Sequence, residues 1–314
     1  MRDRCLLTLA LLIVAFEALL LGCGPPDSSS SSTDLSQDPL DFGSPETIDI
    51  LTWNIESFPK DERLSPGYVV QILDSLAPDI VAIQEVWSLA HLEWVATTLG
   101  NYRVATVLGD EETGLAFLYN AEVVTLTSPA QPILRDASYD FGNRPPIEMT
   151  VEVLGQKLRI INLHFKCCGD GVIGGDYWDE EVRRLRATGK LKSYLDRLPS
   201  DDAVVALGDW NDILNDPQGN NIFQPLLDAG DFYRFTDLSI AEETNSDRWS
   251  FPSYPSHLDH ILINRPLFES FQANGSESET ILAETALRQG LWEYSRYVSD
   301  HRPVGLKLQL SASQ

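Results

Sequence analysis

The feature that most constrains this chain is the segment Ala203 to Asp212, which reads Ala-Val-Val-Ala-Leu-Gly-Asp-Trp-Asn-Asp. An apolar run closed by a glycine and an acid predicts a buried strand that ends at Asp209. Residues two apart in an extended segment point to the same side, so the Asp209 carboxylate and the Asn211 amide can converge on one ligand. Hard oxygen donors of this kind suit Mg²⁺, Mn²⁺ or Ca²⁺ rather than zinc. Taken alone, the segment fits a polar turn after a core strand equally well.

Other apolar runs along the chain carry polar side chains in the same way. They place Asn54 in Ile48–Ile55, Glu85 in Asp79–Val86, His164 at the end of Leu158–His164, Asp259 near the start of Leu258–Ile263, and Asp300 with His301 in Val298–Leu308. One such residue is usually a cap or a turn residue. The repetition at several strand ends favours a shared site.

Helical patterns alternate with these runs and predict successive β and α layers. The predicted helices begin at a Ser65 N-cap with Pro66 as the first helical residue, at His91 and at Asp179, and they end near Leu76, Leu99 and Leu198. Further strands are predicted at 102–108, 115–118, 123–126 and 147–153. The polar segment 128–146 is a candidate substrate-facing loop, and 276–280 is predicted to be a polar break.

The N-terminal region predicts export of the protein, and we do not expect it to be part of the fold. Arg2 and Arg4 precede an apolar run that Glu17 interrupts, which is the outline of a signal peptide over residues 1–22. The sequence Leu-Leu-Gly-Cys ending at Cys23 resembles the lipobox of bacterial lipoproteins. That resemblance implies lipidation of Cys23 and anchoring in the cell envelope, at the outer membrane or cell surface. A transmembrane anchor is the alternative for the apolar run.

Composition and charge limit what the rest of the chain can be. Of its 314 residues, 43% are hydrophobic, so we expect one large domain over residues 47–311 after a disordered linker at 23–46 that holds five consecutive serines. The net charge of -24 argues against a basic surface that binds nucleic acid non-specifically. It does not exclude an enzyme that holds one phosphodiester through a metal ion, because the metal supplies positive charge locally.

Two adjacent cysteines remain in the expected mature protein, Cys167 and Cys168. They can form a strained vicinal disulfide or stay a reduced pair under a loop. No Cys or His partners lie at metal spacing around them, so we do not expect a zinc site there.

Taken together, the motifs resemble the endonuclease/exonuclease/phosphatase superfamily. The resemblance rests on Thr-Trp-Asn-Ile, Ile-Gln-Glu-Val, Asn-Leu-His, Gly-Asp-Trp-Asn, Leu-Asp-His-Ile and Ser-Asp-His-Arg-Pro-Val, and it spans about residues 48–310. Gly-Asp-Trp-Asn and Ser-Asp-His-Arg-Pro are the most specific of these motifs. The resemblance implies an α/β (α+β) fold of the DNase I-like type, a four-layer α-β-β-α sandwich with two β-sheets face to face and helices outside.

The same resemblance implies a role for each residue. It makes Glu85 the principal Mg²⁺ ligand, with Asn54 beside it and Asp300 near the metal. It has Asp209 and Asn211 orient the water and the phosphate, His301 act as general base and Asp259 hold His301 in its working tautomer. His164 would bind a phosphate oxygen or protonate the leaving group.

This assignment agrees with the chemistry of phosphodiester hydrolysis. A phosphodiester anion repels hydroxide, so its hydrolysis needs a cation, an aligned water with a base, and help for the leaving oxygen.

The chain departs from the family pattern beside His164. In the deoxyribonucleases a glutamate supports the equivalent histidine, whereas this chain places Thr113 or Gly114 near that position. Glu112 could take the role if the register shifts. The Cys-Cys-Gly-Asp-Gly loop that follows His164 is also unlike the pancreatic enzymes, which leaves the substrate open.

These observations predict a lipid-anchored phosphodiesterase that uses Mg²⁺ (or Mn²⁺ or Ca²⁺), acts on nucleic acid and is monomeric. An alternative is a sphingomyelinase-like phospholipid phosphodiesterase, or a phosphatase, that meets the membrane through Trp178, Trp292 and Tyr297. We expect these three aromatic side chains to be buried instead. The non-enzymatic alternative is an envelope binding module that kept the fold without the chemistry.

Overall fold

A computed structural model of the chain describes residue 40, residues 42–107 and residues 113–310. The predicted signal peptide, Cys23, most of the predicted linker and Glu112 lie outside the described residues.

Twelve strands of the described residues, numbered in chain order, form two six-stranded sheets. The first sheet has the spatial order β11 (Glu277–Thr280), β12 (Val304–Leu308), β1 (Ile48–Phe58), β2 (Ile80–Val86), β4 (Ala116–Asn120) and β3 (Tyr102–Ala105). The second has the order β5 (Thr125–Pro132), β6 (Ile147–Val153), β7 (Gln156–His164), β8 (Ala203–Asp209), β10 (Asp259–Asn264) and β9 (Tyr233–Phe235). The pairs β1–β2 and β7–β8 are parallel, and the other neighbours are antiparallel.

The helices of the described residues are α1 (Ser65–Leu76), α2 (Leu89–Leu99), α3 (Glu180–Leu195), α4 (Gln224–Leu227), α5 (Leu238–Ala241), α6 (Phe268–Gln272) and α7 (Leu291–Tyr297). Ser65 is the first helical residue of α1 and not the predicted N-cap. Its hydroxyl instead accepts the N–H of Asp61 at 2.8 Å. None of these helices has both the length and the apolar composition that crossing a bilayer requires.

Three apolar layers separate four layers of secondary structure. Ile50, Ile80 and Val205 lie in the layer between the two sheets. One outer layer packs α1 and α2 on the first sheet, and the other packs α3 on the second. Both faces of the central strands are therefore buried, and their sequences read as continuous apolar runs. The predicted four-layer α-β-β-α sandwich is confirmed.

The structure corrects the predicted boundaries at three places. Residues 277–280, predicted as a polar break, form the edge strand β11, and β5 extends to Pro132 inside the predicted loop. Edge strands with one face towards solvent carry polar residues, which hides them from a search for apolar runs.

Phe42, in the predicted disordered linker, is 2% exposed and packs against Gly305, where an added Cβ would lie 2.3 Å from its ring. The domain therefore includes residues before 47.

Candidate active site

The sheet topology brings the predicted site residues to one end of the molecule. Parallel neighbours end at the same edge of a sheet, so β1 and β2 deliver Asn54 and Glu85 there, while β7 and β8 deliver His164 and Asp209. Antiparallel strands β12 and β10 begin at that edge. Asp300 and His301 precede β12, and Asp259 opens β10 directly opposite Asp209.

A cleft of about 430 Å³ lies at this end. Seven of the eight predicted catalytic and metal-binding residues line it, namely Asn54, Glu85, His164, Asp209, Asn211, Asp300 and His301. The eighth, Asp259, lies behind His301, and its Oδ2 is 2.7 Å from the Nδ1 of His301. The structure thus brings all eight residues together around one concave surface.

Asn54 joins the two sheets within the cleft. Its Nδ2 donates to Glu85 Oε1 at 3.1 Å and to Asp209 Oδ2 at 3.0 Å, and its Oδ1 accepts the N–H of Glu56 at 3.0 Å. The second oxygen of Glu85 accepts the N–H of Ser57 at 2.9 Å. In this rotamer the nitrogen of Asn54 orients the two carboxylates, and its oxygen is hydrogen-bonded to the backbone. A half-turn about χ2 would direct that oxygen into the cleft instead.

Two polar residues of the cleft, Glu85 and Asn211, have a strained backbone conformation. Glu85 has φ of 63° and Asn211 has φ of 55°. The left-handed conformation costs a residue such as glutamate on the order of 1 kcal/mol. Asp209 and Asn211 do converge on the cleft, although they do so through this turn and not through the extended segment that the sequence predicts. The Nδ2 of Asn211 donates to the carbonyl oxygen of Phe165 at 3.2 Å.

His301 and Asp259 form a buried pair. The Nε2 of His301 points towards Asp209, 3.9 Å from its Oδ2. Burial alone would lower the pKa of His301, but the carboxylates of Asp259 and Asp209 outweigh it and raise the pKa to about 10. Burial also raises the pKa of Asp209 to about 6. The cleft therefore holds more negative charge than its own cations neutralise.

His164 has the opposite electrostatic character. Its Nε2 lies 3.5 Å from Asp209 Oδ2, and burial, Arg144 and His301 together hold its pKa well below the ordinary value. Among the described residues no group hydrogen-bonds to its buried Nδ1, and the buried Oγ1 of Thr113 has no partner either. His164 is consequently neutral near pH 7, whereas His301 carries a proton.

A sequence model of the Endonuclease/Exonuclease/phosphatase family matches residues 51–301, the stretch that contains all eight residues. The chain belongs to this family. Members of the family are usually hydrolases that act on phosphodiester bonds. Among curated proteins no sequence matched the chain.

Several solved structures share the fold of this chain, although their sequence identity to it is low. D. rerio TDP2 complexed with single strand DNA product is 15% identical with a TM-score of 0.58, covering 84% of this chain and 99% of that chain. The endonuclease/exonuclease/phosphatase from Bacteroides vulgatus is 14% identical with a TM-score of 0.58, covering 84% and 99%. The beta toxin of Staphylococcus aureus is 15% identical with a TM-score of 0.54, covering 82% and 99%. At these identities the likeness establishes the fold alone.

The cleft contains a positively charged side chain, that of Arg144, which the sequence did not predict. Arg144 lines the cleft, and its Nε and Nη2 donate to the carbonyl oxygens of His164 at 3.3 Å and Phe165 at 2.7 Å. Burial lowers the pKa of Arg144, while the carboxylates of Asp209 and Glu85 act against that shift. Its position in the predicted substrate-facing segment 128–146 is the only sequence signal that could have drawn attention to it.

The donor set of the cleft fits a hard divalent cation. Carboxylates of Glu85, Asp209 and Asp300 face it from three different elements, and the buried Oδ1 of Asp259 has no hydrogen-bond partner among the described residues. Oxygen donors and surplus negative charge are what Mg²⁺, Mn²⁺ and Ca²⁺ sites require. Asp209, Asp259 and His301 also offer ligand atoms that all lie within 4.8 Å of one another.

A second cluster, of one aspartate and two histidines, is a structural network. Asp237 Oδ2 lies 3.0 Å from His257 Nε2 and 2.6 Å from His260 Nδ1. The remaining ring nitrogens contact the N–H of Ser250 and the carbonyl oxygen of Asp212. Every imidazole nitrogen is therefore engaged within the protein. The hydroxyl of Ser250 accepts the N–H of Asp259 at 3.2 Å, so this network supports Asp259 from behind.

Of the aromatic side chains that were expected to be buried, two lie on the surface. Trp178 is 70% exposed and Trp292 is 57% exposed, which contradicts the expectation. Tyr297 is half-buried and stacks on Tyr68 with ring centroids 6.0 Å apart. Trp178 lies in a loop and Trp292 in the short helix α7, and neither position has a facing layer to cover a large side chain.

Proposed function

We propose that the chain is a divalent-cation-dependent phosphodiester hydrolase, with nucleic acid as its substrate and Mg²⁺ as its metal (Mn²⁺ or Ca²⁺ as alternatives). The observation that carries this proposal is the pairing, in one cleft, of the Glu85–Asn54–Asp209 bridge with the Asp259–His301 pair. The bridge supplies carboxylates for a cation, and the pair supplies an oriented imidazole. A cation and a general base are two of the requirements of phosphodiester hydrolysis.

Glu85, Asp209 and Asp300 would hold the cation, with Asn54 positioning the first two or turning its oxygen to it. When bound, the cation neutralises charge on the non-bridging phosphate oxygens. The carboxylates that raise the pKa of His301 include Asp209, so sharing the Asp209 charge with a cation brings that pKa down towards neutrality. His301 can then accept the proton of the attacking water, and Asp259 fixes the tautomer in which Nε2 is the accepting atom.

His164 and Arg144 complete the site. Because its pKa is held low, His164 acts as a neutral hydrogen-bond partner of a phosphate oxygen, and this is favoured over the alternative of donating a proton as imidazolium. Arg144 provides fixed positive charge beside it, anchored through two backbone carbonyl groups. A planar guanidinium held in this way suits an oxyanion. Asn211, held by Phe165, orients the phosphate together with Asp209.

Nucleic acid is favoured over other phosphodiesters by the aromatic lining of the cleft. Tyr254 lines it and is 77% exposed, and Phe251 packs on His301 with ring centroids 4.8 Å apart. An exposed ring next to a phosphate site can stack on a base. A phospholipid is the second candidate substrate, because the exposed Trp178 and Trp292 are suited to a membrane interface.

The envelope location remains part of the proposal on the strength of the N-terminal sequence. Arg2, Arg4 and the apolar run before Cys23 support export and lipidation. Such an anchor would keep the hydrolase at the membrane, where it would act as a monomer.

The proposal is tested by measuring turnover of single-stranded DNA, plasmid DNA, RNA, sphingomyelin vesicles and an inositol phosphate under one cation condition. We expect nucleic acid to be the best substrate and His301→Asn to abolish its cleavage. His91→Asn, which changes a histidine of α2 outside the cleft, should leave cleavage intact. A clear preference for sphingomyelin would favour the lipid candidate. Absence of turnover on every substrate would favour the binding-module alternative.

A further inference from the structure

Two thiols lie in the wall of the cleft and take no part in the proposed chemistry. Cys167 and Cys168 are both free, and both line the cleft that holds Asp209 and His301. Their Sγ atoms are 2.8 Å apart, and the thiol of Cys168 donates to that of Cys167. Cys168 is exposed and Cys167 is half-buried, so small molecules in solution can reach the pair.

The backbone around these cysteines positions two side chains of the cleft. The carbonyl oxygen of His164 accepts from Arg144, and that of Phe165 accepts from both Arg144 and Asn211. Residues 164–168 thus form a short segment, here called the carbonyl segment, through which β7 leads into the cysteines. Any change in its path moves Arg144 and Asn211.

The far end of the carbonyl segment is fixed to a buried arginine. Nη1 of Arg184 donates to the carbonyl oxygens of Lys166 at 2.8 Å and Cys168 at 2.7 Å. Arg184 is itself held by Asp212 at 2.8 Å and by Glu181 at 3.2 Å. Because both ends are held, a distortion at Cys167 and Cys168 cannot be absorbed by free movement of the loop.

Joining the two thiols requires such a distortion. Consecutive Cα atoms lie about 3.8 Å apart across a trans peptide, below the roughly 4.4 Å at which unstrained disulfides begin. Cys168 already has φ of 74°, in the left-handed region. Closing the ring must therefore change the backbone between these residues, and with it the carbonyl groups of Lys166 and Cys168.

We propose that Cys167 and Cys168 are a reversible redox modification site that controls the cleft. The thiolate of one cysteine attacks a low-molecular-weight disulfide, forms a mixed disulfide and releases one thiol. The second cysteine then displaces the other half, so the protein loses two hydrogen atoms and the reagent gains them as two thiols. A dithiol reductant reverses both steps.

Oxidation is expected to impair hydrolysis without emptying the cation site. The side-chain bonds of the Glu85–Asn54–Asp209 bridge do not involve the carbonyl segment, which meets Asp209 through the backbone, where the N–H of Phe165 donates to its carbonyl oxygen at 2.9 Å. The side chains of Arg144 and Asn211 bond to the carbonyl segment directly. The effect on activity rests on the proposed function. The effect on the structure does not, because it concerns only the hydrogen bonds of residues 164–168.

The experiment compares the full chain equilibrated with oxidised glutathione and with dithiothreitol. Peptide mapping should find the peptide with Cys167 and Cys168 lighter by two hydrogens after oxidation. Amide hydrogen exchange should increase across residues 164–168 and 209–212. The kcat/KM for the best substrate should fall by about tenfold or more and recover on reduction, since small displacements of positioning groups are costly.

Variants separate this site from the other cysteines. In a chain with both Cys167 and Cys168 changed to serine the ratio of oxidised to reduced activity should be close to one, while a chain with both Cys5 and Cys23 changed to serine should keep the full response. Failure of the two thiols to join, or a joined pair with unchanged exchange, would overturn the proposal. If the reduced protein hydrolyses nothing, the proposed function fails, and hydrogen exchange still decides the redox site.

Discussion

The side-chain amide nitrogen of Asn54 lies 3.1 Å from Glu85 Oε1 and 3.0 Å from Asp209 Oδ2, so one donor from β1 holds together carboxylates from two different sheets. Without it both carboxylates would lose a shared hydrogen-bond donor. The site depends on this bridge for its geometry even before a cation is considered.

Replacing Asn54 with alanine should therefore weaken both cation binding and turnover. Loss of a group that orients metal ligands typically costs about 10- to 100-fold, and we expect the apparent cation affinity of Asn54→Ala to fall within that range. Calorimetric titration with Mn²⁺ and steady-state assays at several Mn²⁺ concentrations measure it. Asn264→Ala, at the end of β10 outside the cleft, is the matched control. Equal affinities in all three proteins would refute the bridge.

Asp259→Asn tests the pair that orients the base. The amide cannot stabilise the imidazolium, so the pKa of His301 should fall from about 10 in the cation-free protein. Hydrolysis should fall by about 10² to 10⁴, as in other enzymes whose histidine loses its carboxylate partner. NMR titration of the histidine rings and kcat measure the two effects. A variant with full activity and an unchanged His301 titration would show that Asp259 plays no part.

The buried carboxyl group of Asp79 should make the free energy of unfolding depend on pH, and this effect does not involve the cleft. Asp79 is 7% exposed, and burial raises its pKa from 3.8 to about 6. Because the folded state binds this proton more tightly than the unfolded state, the contribution of Asp79 to stability is greatest below about pH 4 and is lost as the pH rises through about 6. The loss reaches at most about 3 kcal/mol.

In Asp79→Asn this contribution is absent, and the amide oxygen can still accept the N–H of Asp49. The free energy of unfolding of the variant, measured by urea denaturation, should exceed that of the wild type more at pH 7.5 than at pH 4.5. Two pH profiles that run parallel would contradict the raised pKa.

The N-terminal prediction concerns residues outside the described structure and is tested in cells. Expressed in a bacterium with two membranes, the wild-type chain should fractionate with membranes, and Cys23→Ser should not receive the lipid. The variant should accumulate in the periplasm or as an unprocessed precursor. Labelling with a fatty acid that reports lipidation distinguishes the two proteins. Equal labelling of Cys23→Ser would exclude the lipobox interpretation.

The sequence predicted the site residues that follow directly on buried strands. Polar residues that close apolar runs, such as Glu85 and Asp209, could be placed at strand ends from the sequence, and the family resemblance placed them in one site. Arg144 could not be placed, because its direction is set by the carbonyl groups of His164 and Phe165 at the end of β7. Phe42 could not be placed either, since one aromatic residue in a polar segment carries no periodicity.

The most direct test of the account is cleavage of the best substrate by cation-depleted protein before and after Mg²⁺ is restored. Three proteins should be compared: the wild type, Glu85→Gln, and Glu269→Gln, which changes an exposed glutamate of α6 outside the cleft. We predict that the wild type and Glu269→Gln recover activity fully, and that Glu85→Gln stays lower by about 10² or more. Activity that survives depletion of cations, or full recovery by Glu85→Gln, would contradict a metal-dependent hydrolase built on this cleft.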